Sequence, residues 1–369
     1  MKSICFLGFG LIGGSIAKSL IDAKDYPCSL SAYDPDTRSL EQAVRDHVLQ
    51  ASYHHIDDVP LEQADIIILC APVMVNSANL RSIRDRIPAD CIVTDVGSVK
   101  SDIVKCVAEL GLTDRFIGGH PMTGSEKNGY IASSALLMRN AYYILTPTEH
   151  ISRTFLDEML RMVKATGALP LVMGCSEHDQ VVAGISHLPH LISASLVNLI
   201  HDNDVENEYM HKVAAGGFKD ITRISSSSPR MWEQICAMNT ESILPLLDQY
   251  IRSLCDLRDH LEHYDKEYIY DFFSNAREYR ASFSDLSHGP IRKLHRLYVD
   301  IPDVPGIIAK IASLLSLHGI NIQNIGIIHN REFENGALRI EFREESDMQE
   351  AAGLLRNADY SISLPLDTK

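Results

Sequence analysis

Basic side chains are in short supply in this sequence. Thirty-four Lys and Arg residues face 49 Asp and Glu, for a formal charge of −15. Such a surface repels phosphate backbones and anionic lipid, which argues against nucleic acid and membrane surfaces as partners. An anionic substrate would have to be drawn in by local cations against that field. The eight cysteines are scattered, with no C-x-x-C pair among them. Several lie in apolar runs, as Cys70 does after Ile66-Ile67-Ile68-Leu69, where a thiol behaves as a small hydrophobe. This argues against a disulfide scaffold and suits a reducing, cytoplasmic setting. A basic segment followed by a cleavable apolar stretch is missing from the first residues, as are internal repeats and low-complexity tracts. Even the longest apolar run, about 181–200, is interrupted by His187, Pro189, His190 and several serines. A buried helix is expected there, not a membrane span.

What is present is an ordinary globular composition, 45% apolar and 22% charged, in a chain of 369 residues. That length is enough for two or three separate cores. Strand-like runs at 3–8, 29–33, 66–71, 91–95, 116–118 and 142–145 alternate with helical stretches, which predicts βαβ units and a mainly parallel sheet. From about Ser176 to Arg280 helical periodicity takes over, broken at Gly216-Gly217 and at 225–229. After a linker at 285–290 the order is strand, helix, two strands about a turn at 334–336, helix, strand, which is a ferredoxin-like βαββαβ unit. The expected architecture is therefore an α/β Rossmann-type domain over 1–174, an all-α domain over 175–288 and a ferredoxin-like domain over 294–369.

The run Gly8-Phe9-Gly10-Leu11-Ile12-Gly13 carries G-x-G-x-x-G. Alone it could be a structural turn. Here it follows the first strand and opens the first helix, where glycines let a pyrophosphate approach the backbone and the helix N-terminus stabilises its charge. Asp34 ends the second strand, at the place where a carboxylate accepts from the adenosine ribose hydroxyls. A carboxylate there repels a 2′-phosphate, and Pro35 and Asp36 add no cation, so NAD is favoured; Arg38 keeps NADP open.

Three polar clusters follow. Ser98 lies in Asp95-Val96-Gly97-Ser98-Val99-Lys100 after a buried strand, on the edge where open α/β sheets bind ligands. His120 lies between paired glycines and Pro121, ahead of Ser125. A neutral imidazole there can take the hydroxyl proton as hydride leaves an alcohol, or it can be a loop histidine bonded to backbone. Ser186, His187 and His190 occupy one helix. The i, i+3 histidines raise a metal site, but no H-E-x-x-H occurs and Glu177 and His178 lie at the far end of the run, so substrate or cofactor contact is preferred and no metal is expected. Farther on, Lys219 and Arg223 follow Gly216-Gly217. Arg223 can grip a carboxylate in bidentate fashion or pair with Asp220 to tie helices together.

Six blocks, at 8–15, 95–100, 118–126, 186–190, 216–224 and 229–232, together resemble the prephenate dehydrogenase family over about residues 4 to 285. The resemblance implies a Rossmann-type NAD domain followed by a helical domain that forms the homodimer. It makes His120 the base that hydrogen-bonds the substrate hydroxyl and Ser98 its orienting partner. It makes Arg223 the grip on the ring carboxylate, with His190, Ser186, Ser125 and Trp232 in the pocket and Lys219 a weaker contact. The expected reaction is oxidative decarboxylation of prephenate, with arogenate as the alternative substrate. A dehydrogenase of 3-hydroxy acids would rely on a catalytic lysine, whereas histidine clusters dominate here. A cofactor-binding sensor without turnover would not need His120, Ser98 and Arg223. The last domain resembles ACT modules, which makes Asp303 and Asn321 candidate contacts for an amino-acid effector, expected to be tyrosine; a purely structural pairing module is the other reading.

Overall fold

The computed structural model describes residues 1–124, 127–204, 208–285, 295–302, 304–328 and 336–363. It divides into two compact units, Met1–Asp256 and Leu257–Lys369. The first unit is built on an eight-stranded sheet in the order β3-β2-β1-β4-β5-β6-β7-β8. Its strands are β1 Lys2–Leu7, β2 Cys28–Tyr33, β3 Ala51–Tyr53, β4 Ile66–Leu69, β5 Ile92–Asp95, β6 Phe116–Pro121, β7 Tyr142–Pro147 and β8 Leu169–Val172. All neighbours pair in parallel except β6 with β7, so the last two strands run against the others.

Helices cover both faces, and for that reason the central strands read as continuous apolar runs. Ile4, Phe6, Ile66 and Ile68 enter one core, and Cys5, Leu7, Ile67 and Leu69 enter the other. The covering helices include α1 Leu11–Asp22, α2 Thr37–Arg45, α3 Val73–Ile83, α4 Ser101–Glu109 and α5 Arg153–Ala165. The reversal of chain order on either side of β1 and β4 creates the crevice at the carboxyl ends of the strands where ligands bind in such sheets.

Helices then take over: α6 Cys175–Val182, α7 Leu188–Asn203, α8 Tyr209–Val213, α9 Gly216–Thr222, α10 Pro229–Met238, α11 Thr240–Glu262 and α12 Lys266–Asp285. A π-helical turn at Ala183–His187 joins α6 to α7. It absorbs Pro189, which has no N–H to give to a regular ladder. The buried helix expected at 181–200 differs in one respect. In its most apolar window only 22% of residues are buried, and Ile185 and Leu199 are exposed. The apolar run forms a helix as expected, but the described residues leave most of it uncovered.

The second unit contains α12 and then β9 His295–Ile301, α13 Ile307–Leu317, β10 Asn324–Ile328, β11 Gly336–Phe342, α14 Glu345–Asn357 and β12 Ile362–Ser363. These strands form an antiparallel sheet, β10-β11-β9-β12, the ferredoxin-like arrangement expected. Leu297, Val299, Leu338, Ile340 and Phe342 face Ile311, Leu315, Ala351 and Leu355 of the helices. Alternation along β9 and β11 thus buries one sheet face.

Candidate active site

The glycine-rich turn sits between β1 and α1. Gly8 has φ +94°, and a Cβ there would fall on the Ala71 amide at the end of β4. Only glycine allows that turn and that close approach together. By contrast, nothing lies within 4 Å of a Cβ placed on Gly10, which leaves a cradle open at the helix N-terminus. Asp34 closes the turn: its carboxylate accepts from the amides of Phe9 (2.6 Å) and Asp36 (2.8 Å). Leu11, Ile12 and Gly13 form the first turn of α1. These residues come together as the motif requires.

Beyond β5, Asp95 and Lys100 form a fully buried ion pair. Lys100 also donates to the Gly119 carbonyl (2.7 Å), while the Asp95 carboxylate accepts from the amides of Gly97 (2.9 Å) and Gly119 (3.1 Å). A buried pair is tolerable when its remaining donors and acceptors are satisfied in this way. It ties the Ser98 loop to β6, which carries His120. Ser98 is half-buried on that loop.

The expected link from Ser98 to His120 is not the one observed. Among the described residues, His120 Nδ1 meets His178 Nε2 at 2.8 Å, and His178 Nδ1 meets the Asp179 carboxylate at 2.7 Å. His178 and Asp179 are buried at the start of the helical segment. Burial holds His120 well below the usual imidazole range, and neighbouring His178, Lys100 and His187 act in the same direction. Asp179 also accepts from the Lys100 amide (2.9 Å), the Ser101 amide (2.8 Å) and the Ser101 hydroxyl. Burial alone would raise its carboxyl, but hydrogen bonds from His178, Ser101 and Lys100 bring it below the ordinary carboxylate range.

The π-helical turn delivers the remaining histidines. His187, 1% exposed, meets the Asn239 side chain at 3.0 Å, and Asn239 donates to the Asp179 carbonyl at 2.8 Å. His190 donates from Nδ1 to the Ser186 carbonyl (2.9 Å) and stacks on Trp232, ring centroids 3.8 Å apart. Among the described residues, the buried Trp232 indole nitrogen has no hydrogen-bond partner. Arg223 and Lys219 are exposed. Burial lowers the His190 proton affinity, its hydrogen bond to Ser186 opposes that, and the Arg223 charge lowers it further. Ser125 and Asp303 lie outside the described residues, and Asn321 is exposed just ahead of β10. Motif reading missed Asp179 and Asn239 and set His178 aside. The signal for His178 and Asp179 was an adjacent ionisable pair heading an otherwise apolar helical run; Asn239 carried none.

Two family models cover most of the chain: "Prephenate dehydrogenase, nucleotide-binding domain" matches residues 21–171, and "Prephenate dehydrogenase, dimerization domain" matches 174–275. An ACT domain model matches 295–357. The prephenate dehydrogenase of Bacillus subtilis is 38% identical over 355 residues, 95% of this chain and 94% of that protein. The cyclohexadienyl dehydrogenase of Zymomonas mobilis is 30% identical, over 76% of this chain and 96% of that protein. Among solved structures, prephenate dehydrogenase from A. aeolicus in complex with hydroxyphenyl propionate and NAD+ has a TM-score of 0.72 at 29% identity, covering 77% of this chain and 98% of its own. Synechocystis arogenate dehydrogenase has a TM-score of 0.67 at 27% identity, covering 76% of this chain and 99% of its own.

Proposed function

This chain belongs to the prephenate dehydrogenase family, and from that premise we propose that it oxidises prephenate with NAD to 4-hydroxyphenylpyruvate, CO2 and NADH in tyrosine biosynthesis. The observation that carries this reading is His120: a half-buried imidazole held in a hydrogen-bonded chain at the carboxyl end of β6, in the sheet that carries the glycine turn.

The turn fits the cofactor. Gly8, Gly10, Leu11, Ile12 and Gly13 would take the pyrophosphate, and Asp34 would take the adenosine ribose. NAD, when bound, supplies the hydride acceptor. His120 takes the proton of the ring hydroxyl as the hydride leaves. The ketone so formed is conjugated through the ring to the carbon bearing the carboxylate, and CO2 departs because the product is an aromatic phenol. Ser98 is assigned to the cofactor side of the reacting carbon. Arg223 is assigned to the ring carboxylate, with His190, Ser186, Ser125 and Trp232 lining the pocket and Lys219 at its exposed margin. Cations matter here because a doubly anionic substrate must enter a protein of charge −15.

The domain limits proposed are 1–174, 175–288 and 294–369. Exposed Ile185, Leu199, Val213, Ile221 and Leu244 on the helical segment support a homodimer through that domain. Eight free thiols support the reducing cytoplasm as its setting. The ACT domain is proposed to bind tyrosine through Asp303 and Asn321. Arogenate is the second substrate reading, favoured by the likeness to an arogenate dehydrogenase. The test is to follow NADH absorbance with NAD and prephenate, running arogenate, NADP and added tyrosine in parallel. Rapid turnover of prephenate, suppressed by tyrosine, is expected. Turnover of arogenate alone would change the substrate, and turnover of neither would sink the reading.

A further inference from the structure

The hydrogen-bonded chain behind His120 has a direction. Asp179 is surrounded by donors: two backbone amides, a hydroxyl and the His178 ring. Its carboxylate also lies against the first amides of α4, where the helix dipole favours negative charge. An ionised carboxylate only accepts, so His178 must donate to it from Nδ1. A neutral His178 then has no hydrogen on Nε2, and that nitrogen can only accept. The nitrogen facing it at 2.8 Å is His120 Nδ1, which must then carry the hydrogen and donate. Which ring nitrogen carries a proton follows here from the partners at each end.

From this chain, and resting on the dehydrogenase reading above, we infer that His178 and Asp179 are a positioning pair that fixes the tautomer of His120, leaving its Nε2 as the lone pair that accepts the substrate's hydroxyl proton. The groups facing His120 are His178, Lys100, His187 and Asp179, and Asp179 is the one that favours a charged ring. When Nε2 takes the proton, the imidazolium still donates from Nδ1 to His178, and the carboxylate at the far end stabilises the charge. The same logic governs any imidazole base oriented by a buried acceptor. The pair is rigid because it is tied down on every side. Asp179 is bonded to the loop after β5, and Asn239 of the helical segment holds both the Asp179 carbonyl and the His187 ring. His178 itself is 0% exposed.

Two substitutions and one spectrum test the inference. His178→Leu keeps the volume and removes the acceptor; His178→Gln can place Oε1 where Nε2 now stands. Expected for His178→Leu is a fall in kcat on the order of 10²-fold, with NAD affinity and the KM for prephenate changed less than threefold. In His178→Gln about tenfold of that loss returns. In nitrogen-15 spectra of histidine-labelled wild-type protein, His120 should carry its proton on Nδ1, and in His178→Leu a population protonated on Nε2 should appear. Equal loss in both variants would overturn the inference, as would a wild-type His120 protonated on Nε2. If His178→Leu fails to fold, the wild-type spectrum and His178→Gln decide alone. Wild-type protein inactive on prephenate would sink the functional reading, while the spectrum would still judge the tautomer.

Discussion

For a single side chain, water decides most of the chemistry. His120 is half-buried, and its desolvation, more than any one neighbour, sets its proton affinity below the ordinary imidazole range. The ring is therefore neutral at physiological pH, ready to accept. His120→Asn should remove most turnover, at least about 10³-fold in kcat, and leave NAD binding within a few fold, because the base acts only in the chemical step. Equal loss of NAD affinity, measured by titration of the cofactor, would contradict that role. The same physics shapes acid stability. Burial lowers His187 to about 4, below its unfolded value of roughly 6.5. Between those values the unfolded chain binds the extra proton, so stability falls as pH drops through that window. The full cost is on the order of 3 kcal/mol for this ring, and His120 adds in the same direction. Urea melts at pH 7 and pH 4.5 should show the loss, and His187→Asn should flatten it. An unchanged difference between the two pH values in that variant would assign the acid sensitivity elsewhere.

Among elements, the helix that opens the dinucleotide site is held by a strap formed by residues 129–137. Ser134 donates its amide to the Ser15 hydroxyl (3.0 Å), Lys18 donates to the Ser133 carbonyl (3.0 Å), and Tyr130 donates to Asp46 (2.9 Å) just beyond α2. Gly14 lets the strap close. A Cβ there would meet the Ser133 hydroxyl at 2.7 Å and the Tyr130 ring at 2.8 Å. Neither can swing aside freely, since Ser133 donates to the Tyr130 carbonyl at 2.5 Å and Tyr130 is 1% exposed. Gly14→Ala should therefore cost about 1–3 kcal/mol by overpacking, despite the helix preference for alanine. A thermal melt that shows no fall in Tm would refute the strap's tightness.

This element scale also marks where sequence reading succeeded and stopped. The strands β1, β4 and β5 were legible because burial on both faces leaves apolar runs, and β2 because buried Leu30 and Ala32 alternate with half-buried neighbours. The short strands β3 and β8 were not: they form the sheet's two edges, with half-exposed residues and, in β8, Pro170. The glycine turn and His120 were legible because each is a local motif whose chemistry depends on neighbours in sequence. The partner of His120 was not, since His178 is 58 residues away and reaches it only when α6 packs against the sheet domain. Ser98 is singled out by its place after a buried strand and by the family resemblance, whereas the Nδ1 partner comes from the helical segment.

For the whole molecule, the question is how a sensing domain relates to a catalytic part that carries its own site. Every proposed catalytic and cofactor residue lies within Met1–Asp256, and the ACT sheet lies wholly in the second unit with a core of its own. The crystallised A. aeolicus chain is matched over 98% of its length by 77% of this chain. Truncation before about Leu294 should therefore leave a folded enzyme with kcat and KM for prephenate within about threefold of the full chain. Since the effector contacts proposed lie at Asp303 and Asn321, the same truncation should abolish inhibition by tyrosine. The measurement is a tyrosine titration of both proteins at fixed prephenate, followed by NADH formation. Inhibition that survives truncation and is competitive with prephenate would move tyrosine into the catalytic pocket. There its phenol would replace the product ring beside His120, and its carboxylate would lie among the Arg223 and His190 groups. Loss of inhibition together with loss of turnover would instead make the ACT domain part of the catalytic fold, contrary to the separate cores. Retained turnover with inhibition gone is the outcome that the division of buried residues between the two units supports.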